Sequence, residues 1–231
     1  MELFRTQNLT KIYVTESENV KALNDVSIKI DRGELLAISG RSGSGKTTLL
    51  NLLGLLDSIT EGDVFMNDIS FGSLNNKAKS KIRRDDIGMI FQAYNLIPVL
   101  TAEENVELAL NALDKEGLMR LGINNKADKR NFCIESLQSV GLFNLENRRP
   151  HELSGGQQQR ISIARAIVKQ PKVLLADEPT ANLDKENSMN VIDIIQKLNE
   201  EMKLTCIYSS HDKLILESVK RIIKLEDGSV C

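Results

Sequence analysis

Apolar positions along the chain follow two periods that take turns, and the alternation is the first clue to the fold. Near the start the period is short. Residues 26–30 alternate apolar with polar, and Leu35-Leu36-Ala37-Ile38 is an unbroken apolar run between turn signals, the pattern of a buried central strand. Gly40-Arg41-Ser42-Gly43-Ser44-Gly45-Lys46-Thr47-Thr48 follows at once, after which Leu49, Leu50, Leu52 and Leu53 recur at helical spacing. The sequence thus predicts strand, glycine loop, helix. Residues 62–71 predict a hairpin turning at Asn67-Asp68, and residues 87–91 predict another short strand.

The longer period takes over in the middle. Thr101-Ala102-Glu103-Glu104 has the spacing of a capping box, with Val106, Leu108, Ala109, Leu110 and Leu113 behind it. Residues 114–131, rich in charge, Asn and Gly, predict an exposed connection or a weak helix; residues 132–140 and 154–169 predict further helices. Strand patterns return at 173–176, 206–208 and 222–225, with a helix among them whose apolar face is Val191, Ile194, Ile195 and Leu198. Strands and helices alternating on both sides of a helical insert predict an α/β fold.

Composition narrows this picture. At 231 residues, with 41% hydrophobic and 27% charged, the chain has the size and apolar content of one large domain and not of a disordered segment. Thirty basic residues against 32 acidic ones give a net charge of -2, which supplies no overall field for nucleic acid. Cys133, Cys206 and Cys231 are odd in number and widely spaced, so no disulfide framework or zinc site is expected and a reducing cytoplasm fits best. Neither a signal peptide nor an apolar run of about 20 residues is evident, so any membrane role is expected to come through a partner.

Gly40-x-x-x-x-Gly45-Lys46-Thr47 carries the first chemistry. Glycines let the backbone turn its N–H groups onto phosphates, and the following helix adds the positive end of its dipole. Lys46 is a point charge for the β- and γ-phosphates, and the Thr47 hydroxyl suits Mg²⁺. A chance Gly/Ser turn would not be expected between a buried strand and a helix. Val173-Leu174-Leu175-Ala176-Asp177-Glu178 is a second buried strand ending in two carboxylates that point to opposite faces, so one can serve the metal shell and the other a water. Pro179 is expected to stop the strand and hold Glu178 extended.

Leu153-Ser154-Gly155-Gly156-Gln157, followed by Gln158, Gln159 and Arg160, forms a second helix N-terminus and hence a second place for anions. Here the chain resembles the ATP-binding-cassette ATPases, whose signature is this pentapeptide. The resemblance implies an α/β fold with a P-loop NTPase core, a mixed sheet flanked by helices, an N-terminal antiparallel β subdomain and an inserted helical subdomain. It implies one nucleotide-binding domain over residues 1–231, with the helical part at about 95–165 and the rest at about 1–94 and 166–231. By the same resemblance Gln92 is the Q-loop glutamine that reaches metal and water, and His211 the switch histidine that contacts the γ-phosphate. Tyr13 stacks on adenine, and Ala181-Asn182-Leu183-Asp184 is the loop that meets the opposite subunit. Ser210 stands where Thr is frequent and Ala181 where Gly or Ser is usual, neither of which removes a catalytic group.

Leu53-Gly54-Leu55-Leu56-Asp57, Ile87-Gly88-Met89-Ile90-Phe91-Gln92, Asn95-Leu96-Ile97-Pro98, Thr101-Ala102-Glu103-Glu104-Asn105-Val106 and Asp177-Glu178-Pro179-Thr180-Ala181-Asn182-Leu183-Asp184 narrow the resemblance to the lipoprotein-release and macrolide-export branch. That implies ATP and Mg²⁺ as cofactors and an ATP-dependent head-to-tail homodimer, in which Lys46 and Thr47 of one copy meet Ser154, Gly155, Gly156 and Gln157 of the other. Glu178 then polarises the attacking water, Thr47, Asp177 and Gln92 hold the metal, and His211 steadies the γ-phosphate. The implied role is the energy subunit of an integral-membrane permease, at the inner face of the cell membrane, exporting lipoprotein, peptide or drug-like cargo. A regulatory or scaffold ATPase of the cell-division type, signalling without transport, is the alternative.

Overall fold

A computed structural model describes residues 1–14 and 18–231 and places them in two sheets with helices packed against them. The first half runs β1 (Glu2–Val14), β2 (Asn19–Val26), β3 (Lys29–Asp31), β4 (Leu35–Ser39), α1 (Lys46–Leu53), β5 (Glu61–Met66), β6 (Ile69–Ser70), α2 (Asn76–Asp86) and β7 (Ile87–Ile90). The second runs α3 (Ala102–Asn111), α4 (Lys115–Arg120), α5 (Lys126–Ser139), α6 (Gly155–Ile167), β8 (Val173–Asp177), α7 (Lys185–Met202), β9 (Thr205–Ser209), α8 (Lys213–Ser218), β10 (Arg221–Glu226) and β11 (Ser229–Val230). This is the α/β cassette expected, with an antiparallel sheet ordered β2-β1-β5-β6, β3 pairing β1, beside a mixed sheet ordered β11-β10-β4-β9-β8-β7.

In the mixed sheet, β10, β4, β9, β8 and β7 are parallel and β11 is antiparallel. Both faces of the parallel part are covered, which is why its strands read as continuous apolar runs. Alternate residues serve opposite cores. Leu36, Ile38, Val173, Leu175 and Ile207 join the cluster around α1, while Ala37, Leu174, Ala176, Cys206 and Tyr208 join the cluster around α3, α5, α6 and α7. Leu49, Leu50, Leu52 and Leu53 of α1 are fully or almost fully buried, each worth about 1.5–3 kcal/mol of burial. Parallel strands also bring their carboxyl ends to one edge, so the segments after β4, β7, β8 and β9 gather there.

Three expectations change. Residues 26–30 are not one strand: Val26 ends β2 opposite Leu9, and Lys29 begins β3 opposite Arg5. The break matches irregular β1, where Asn8 takes φ 47° and Asn8 N donates to Ser27 Oγ at 2.9 Å. Residues 114–131 contain α4 and the first turns of α5, which starts at Lys126, six residues before the expected helix, because Asn125 caps Ala127 N and Asp128 N. The hairpin does turn at Asn67 and Asp68, both at positive φ (51° and 63°). Helix α2, which no apolar period announced, buries none of its side chains and begins at a capping Asn75. No helix among the described residues is long and apolar enough to cross a membrane.

Candidate functional site

The loop between β4 and α1 needs its glycines for shape. Gly43 and Gly45 adopt φ 80° and 100°, and a Cβ on Gly45 would lie 2.4 Å from Ala22 O. Gly45 is also the N-cap of α1 and offers no side-chain acceptor, so the helix begins with its N–H groups uncapped. Lys46 is buried and folds back, its Nζ donating to Gly40 O at 2.9 Å and Arg41 O at 3.1 Å. Its charge is thus held over the loop by neutral carbonyls, with no carboxylate pairing it among the described residues.

Opposite the loop stand the ends of β8 and β9. Thr47 Oγ1 donates to Asp177 Oδ1 at 3.1 Å, which joins the phosphate loop to the strand-end carboxylate across β9. Glu178 is not extended as expected before Pro179: its φ is 43°. Tertiary bonds override the local preference. Glu178 N donates to Ser209 O at 2.8 Å, Ser210 Oγ donates to Glu178 Oε2 at 2.7 Å, and His211 Nδ1 lies 2.7 Å from Glu178 Oε1. Such a conformation costs of the order of 1–3 kcal/mol and persists only where surroundings over-determine it. A carboxylate accepts, so the contact calls for a proton on Nδ1, and Nε2 of the exposed His211 donates to an anion only when the ring carries a proton on both nitrogens.

These groups share one cleft of about 330 Å³. Ser42, Gly43, Gly45, Lys46, Thr47 and Thr48 line it on one side, and Gln92, Glu178 and His211 on the other. Gly40, Arg41 and Ser44 face a second hollow behind the loop, with Lys224 and Glu226. Tyr13 stands outside the cleft, beside the Thr48 hydroxyl, with its own hydroxyl donating to Asp57 Oδ2 at 2.7 Å. Ser154, Gly155, Gly156 and Gln157 are not part of the cleft; they begin α6, where Gln157 N donates to Ser154 Oγ at 3.3 Å and Ser154 N to Gln157 Oε1 at 2.9 Å.

Several residues shape the site through bonds that the sequence motifs do not announce. Gln159 is fully buried and its Nε2 donates to Pro179 O at 2.8 Å, tying α6 to the Glu178 turn. Thr180 Oγ1 donates to Asp212 Oδ2 at 2.7 Å, and Asn182 Nδ2 to Gln92 O at 3.0 Å. Their places in or beside the motifs were legible in the sequence; these bonds were not.

A parallel sheet that delivers an uncapped glycine loop and two strand-end carboxylates to one edge defines a P-loop nucleoside triphosphatase. The pattern of the family described as ABC transporter matches residues 23–181. The ABC transporter ATP-binding protein MJ0796 of Methanocaldococcus jannaschii is 42% identical over 229 residues, which is 99% of this chain and 95% of that one. The macrolide export ATP-binding/permease protein MacB of Campylobacter jejuni is 41% identical over 208 residues, 90% of this chain but 31% of that longer protein. A dimeric structure of MJ0796 in a post-hydrolysis state, bound to ADP and Pi, superposes with a TM-score of 0.89 at 41% identity, covering 99% of this chain and 96% of that one. The chain belongs to the ABC transporter family and is an ATP-binding, ATP-hydrolysing cassette of the branch that includes the MacB ATPase domain.

Proposed function

We propose that the chain is the energy subunit of a membrane transporter, working as an ATP-dependent head-to-tail homodimer on a separate integral-membrane permease. The observation that carries this reading is the separation within one copy of the cleft at Lys46 and Thr47 from the α6 N-terminus at Ser154. Two anion-receptive helix ends that do not face each other in one chain can do so between two. MJ0796, so similar over nearly its whole length, has a dimeric structure.

The donor set fits Mg²⁺. Thr47 hydroxyl and Asp177 carboxylate present hard oxygens side by side, and no cluster of three or more His, Cys, Asp or Glu able to hold a metal exists among the described residues. Such a sparse set suits an ion that completes its shell with water and substrate phosphates; Gln92, on the same cleft, is the further ligand. Bound magnesium supplies neutralisation of phosphate charge. Lys46 and the loop N–H groups orient the triphosphate, Glu178 polarises the attacking water, and His211, protonated on both ring nitrogens with Nδ1 on Glu178, donates from Nε2 to the γ-phosphate.

Motion passes to the partner through the exposed segment before α3, where Ile97 and Val99 stand in solvent. Export of lipoprotein, peptide or drug-like cargo from the inner face of the membrane follows the branch. Recovery of the tagged chain from its own membranes in mild detergent tests the proposal. A stoichiometric permease whose presence changes the ATPase rate is expected; a chain arriving with cell-division or cell-wall proteins instead favours the regulatory reading, and a chain arriving alone sinks the transport role.

A further inference from the structure

We infer that Lys11 and Asp57 are positioning residues for the nucleotide base: together they fix the Tyr13 ring with the Lys11 ammonium over it and the residue still part exposed, and so set how tightly the base is held. The inference rests on the reading of Tyr13 as the adenine contact and goes beyond it. Tyr13 lies near the end of β1, where a free aromatic side chain would swing about two torsions. Two contacts on the side chain prevent that here, and a third steadies the main chain beside it. The phenol donates to Asp57 Oδ2 at 2.7 Å, the Lys11 ammonium sits 4.8 Å from the ring centroid, and the backbone beside the ring is tied down by Ile12 N donating to Thr60 Oγ1 at 3.1 Å.

Lys11 is itself fixed. Only 6% exposed, it spends its protons on Asp57 Oδ1 at 2.7 Å, Ser58 O at 2.7 Å and Ser58 Oγ at 3.3 Å. One carboxylate therefore grips the ammonium with one oxygen and the phenol with the other. The cation rests against the ring by cation–π attraction, and the ring remains 37% exposed beside Thr48, a residue of the nucleotide cleft. Pairing a buried Lys with a half-buried Asp gains little stability by itself, since desolvation offsets the attraction. A platform held in place before the ligand arrives gains affinity, because the ordering of the ring is not charged to binding.

The protonation states agree. Burial opposes ionisation of Asp57, but hydrogen bonds from Lys11 and Tyr13 outweigh it and hold the carboxyl below its usual range. Burial and the bond to Asp57 push the Tyr13 phenol up, so donor and acceptor both persist through the neutral range.

Calorimetric binding of MgATP and of magnesium tripolyphosphate, which has no base, to the full chain and its variants tests the inference. Asp57→Asn and Lys11→Met are expected to weaken ATP about three- to tenfold and leave tripolyphosphate unchanged. Tyr13→Phe, which removes only the hydroxyl and keeps the ring, is expected to weaken ATP about threefold with an unaltered unfolding midpoint. Equal loss for both ligands in Asp57→Asn and Lys11→Met would reduce the pair to a structural role and overturn the inference. If Tyr13→Ala weakens ATP while Asp57→Asn, Lys11→Met and Tyr13→Phe do not, the pair has no positioning role although Tyr13 contacts the base. If Tyr13→Ala leaves ATP binding intact, the adenine reading of Tyr13 fails first and takes the inference with it.

Discussion

Two helices here begin at glycine-rich segments, and they treat the same electrostatic problem in opposite ways. Helix α1 starts at Gly45, in the left-handed region with no side-chain cap, so its N–H groups lack partners from its own cap residue. Helix α6 starts at Ser154 inside a complete capping box, so Ser154 and Gln157 satisfy each other's main chain. The glycines differ in purpose too. Gly45 is needed for its φ of 100°, whereas Gly155 and Gly156 have no positive φ and are needed for space: a Cβ would lie 2.9 Å from the Tyr94 hydroxyl and 2.2 Å from Asn187 Oδ1 respectively. An uncapped helix end at the sheet edge among Asp177, Glu178 and His211 demands an anion. A self-capped one outside that cleft offers a surface, which the proposed dimer would bring to the cleft of a second copy.

The largest effect tests the demanding end. Glu178→Gln keeps the shape of the side chain but loses the charge that polarises water, so turnover is expected to fall at least about 100-fold while MgATP still binds. Because nucleotide then stays in place, the variant is expected to elute as a dimer in MgATP and as a monomer without it. Near-normal hydrolysis would remove Glu178 from the water-activating role and leave its unusual backbone without a catalytic reason.

Glycine substitutions sharpen the contrast at the next level. Gly45→Ala places a methyl against Ala22 O at a φ that alanine resists, and is expected to abolish MgATP binding. Gly156→Ala leaves the cleft untouched but drives a methyl into Asn187, whose own N and Nδ2 are held by Asp184 at 2.8 and 2.7 Å. Its MgATP affinity as a monomer is expected to stay within about twofold of the parent while kcat falls about tenfold, a shift of roughly 1.4 kcal/mol in the barrier. Adding Asn187→Ala is expected to recover much of the loss. Were Gly156→Ala to lose nucleotide binding as Gly45→Ala does, the two helix ends would not be doing separate jobs.

The difference between those ends also marks where sequence reading stops. Leu35 to Ile38 and Val173 to Ala176 announce buried parallel strands because both faces of each are covered, and the phosphate loop is legible because its determinants lie within nine consecutive residues. Helix α2 is silent because it buries no side chain fully and sets a single large apolar residue, Ile82, against the core, and α5 is legible only from its buried Cys133 onward. Glu178 defeats a local rule about the residue before proline because Ser209, Ser210 and His211, more than 30 residues away, hold it. Tyr94 and Asn187 give reasons for two glycines that the signature motif alone leaves unexplained. Local chemistry is written in runs of residues; the fit between runs is not.

The smallest expected effect concerns the link between the two regions. Gln159 projects from α6 two residues beyond the signature and donates to Pro179 O, while Ser162 Oγ, 2.8 Å from Gln159 O, also lies 3.2 Å from its Oε1, so the amide is fully buried with its N–H end committed to Pro179. Gln159→Leu has similar bulk but leaves the Pro179 carbonyl without this donor, next to a Glu178 backbone already in a costly conformation. An unsatisfied buried acceptor costs about 1–3 kcal/mol, so the urea midpoint is expected to drop with little change in slope. If Gln159 also holds the Glu178 turn in register, kcat falls severalfold while KM for ATP stays put. A lower midpoint with unchanged kcat would make the bond purely structural, and the signature helix and the Glu178 turn would then be neighbours without being coupled.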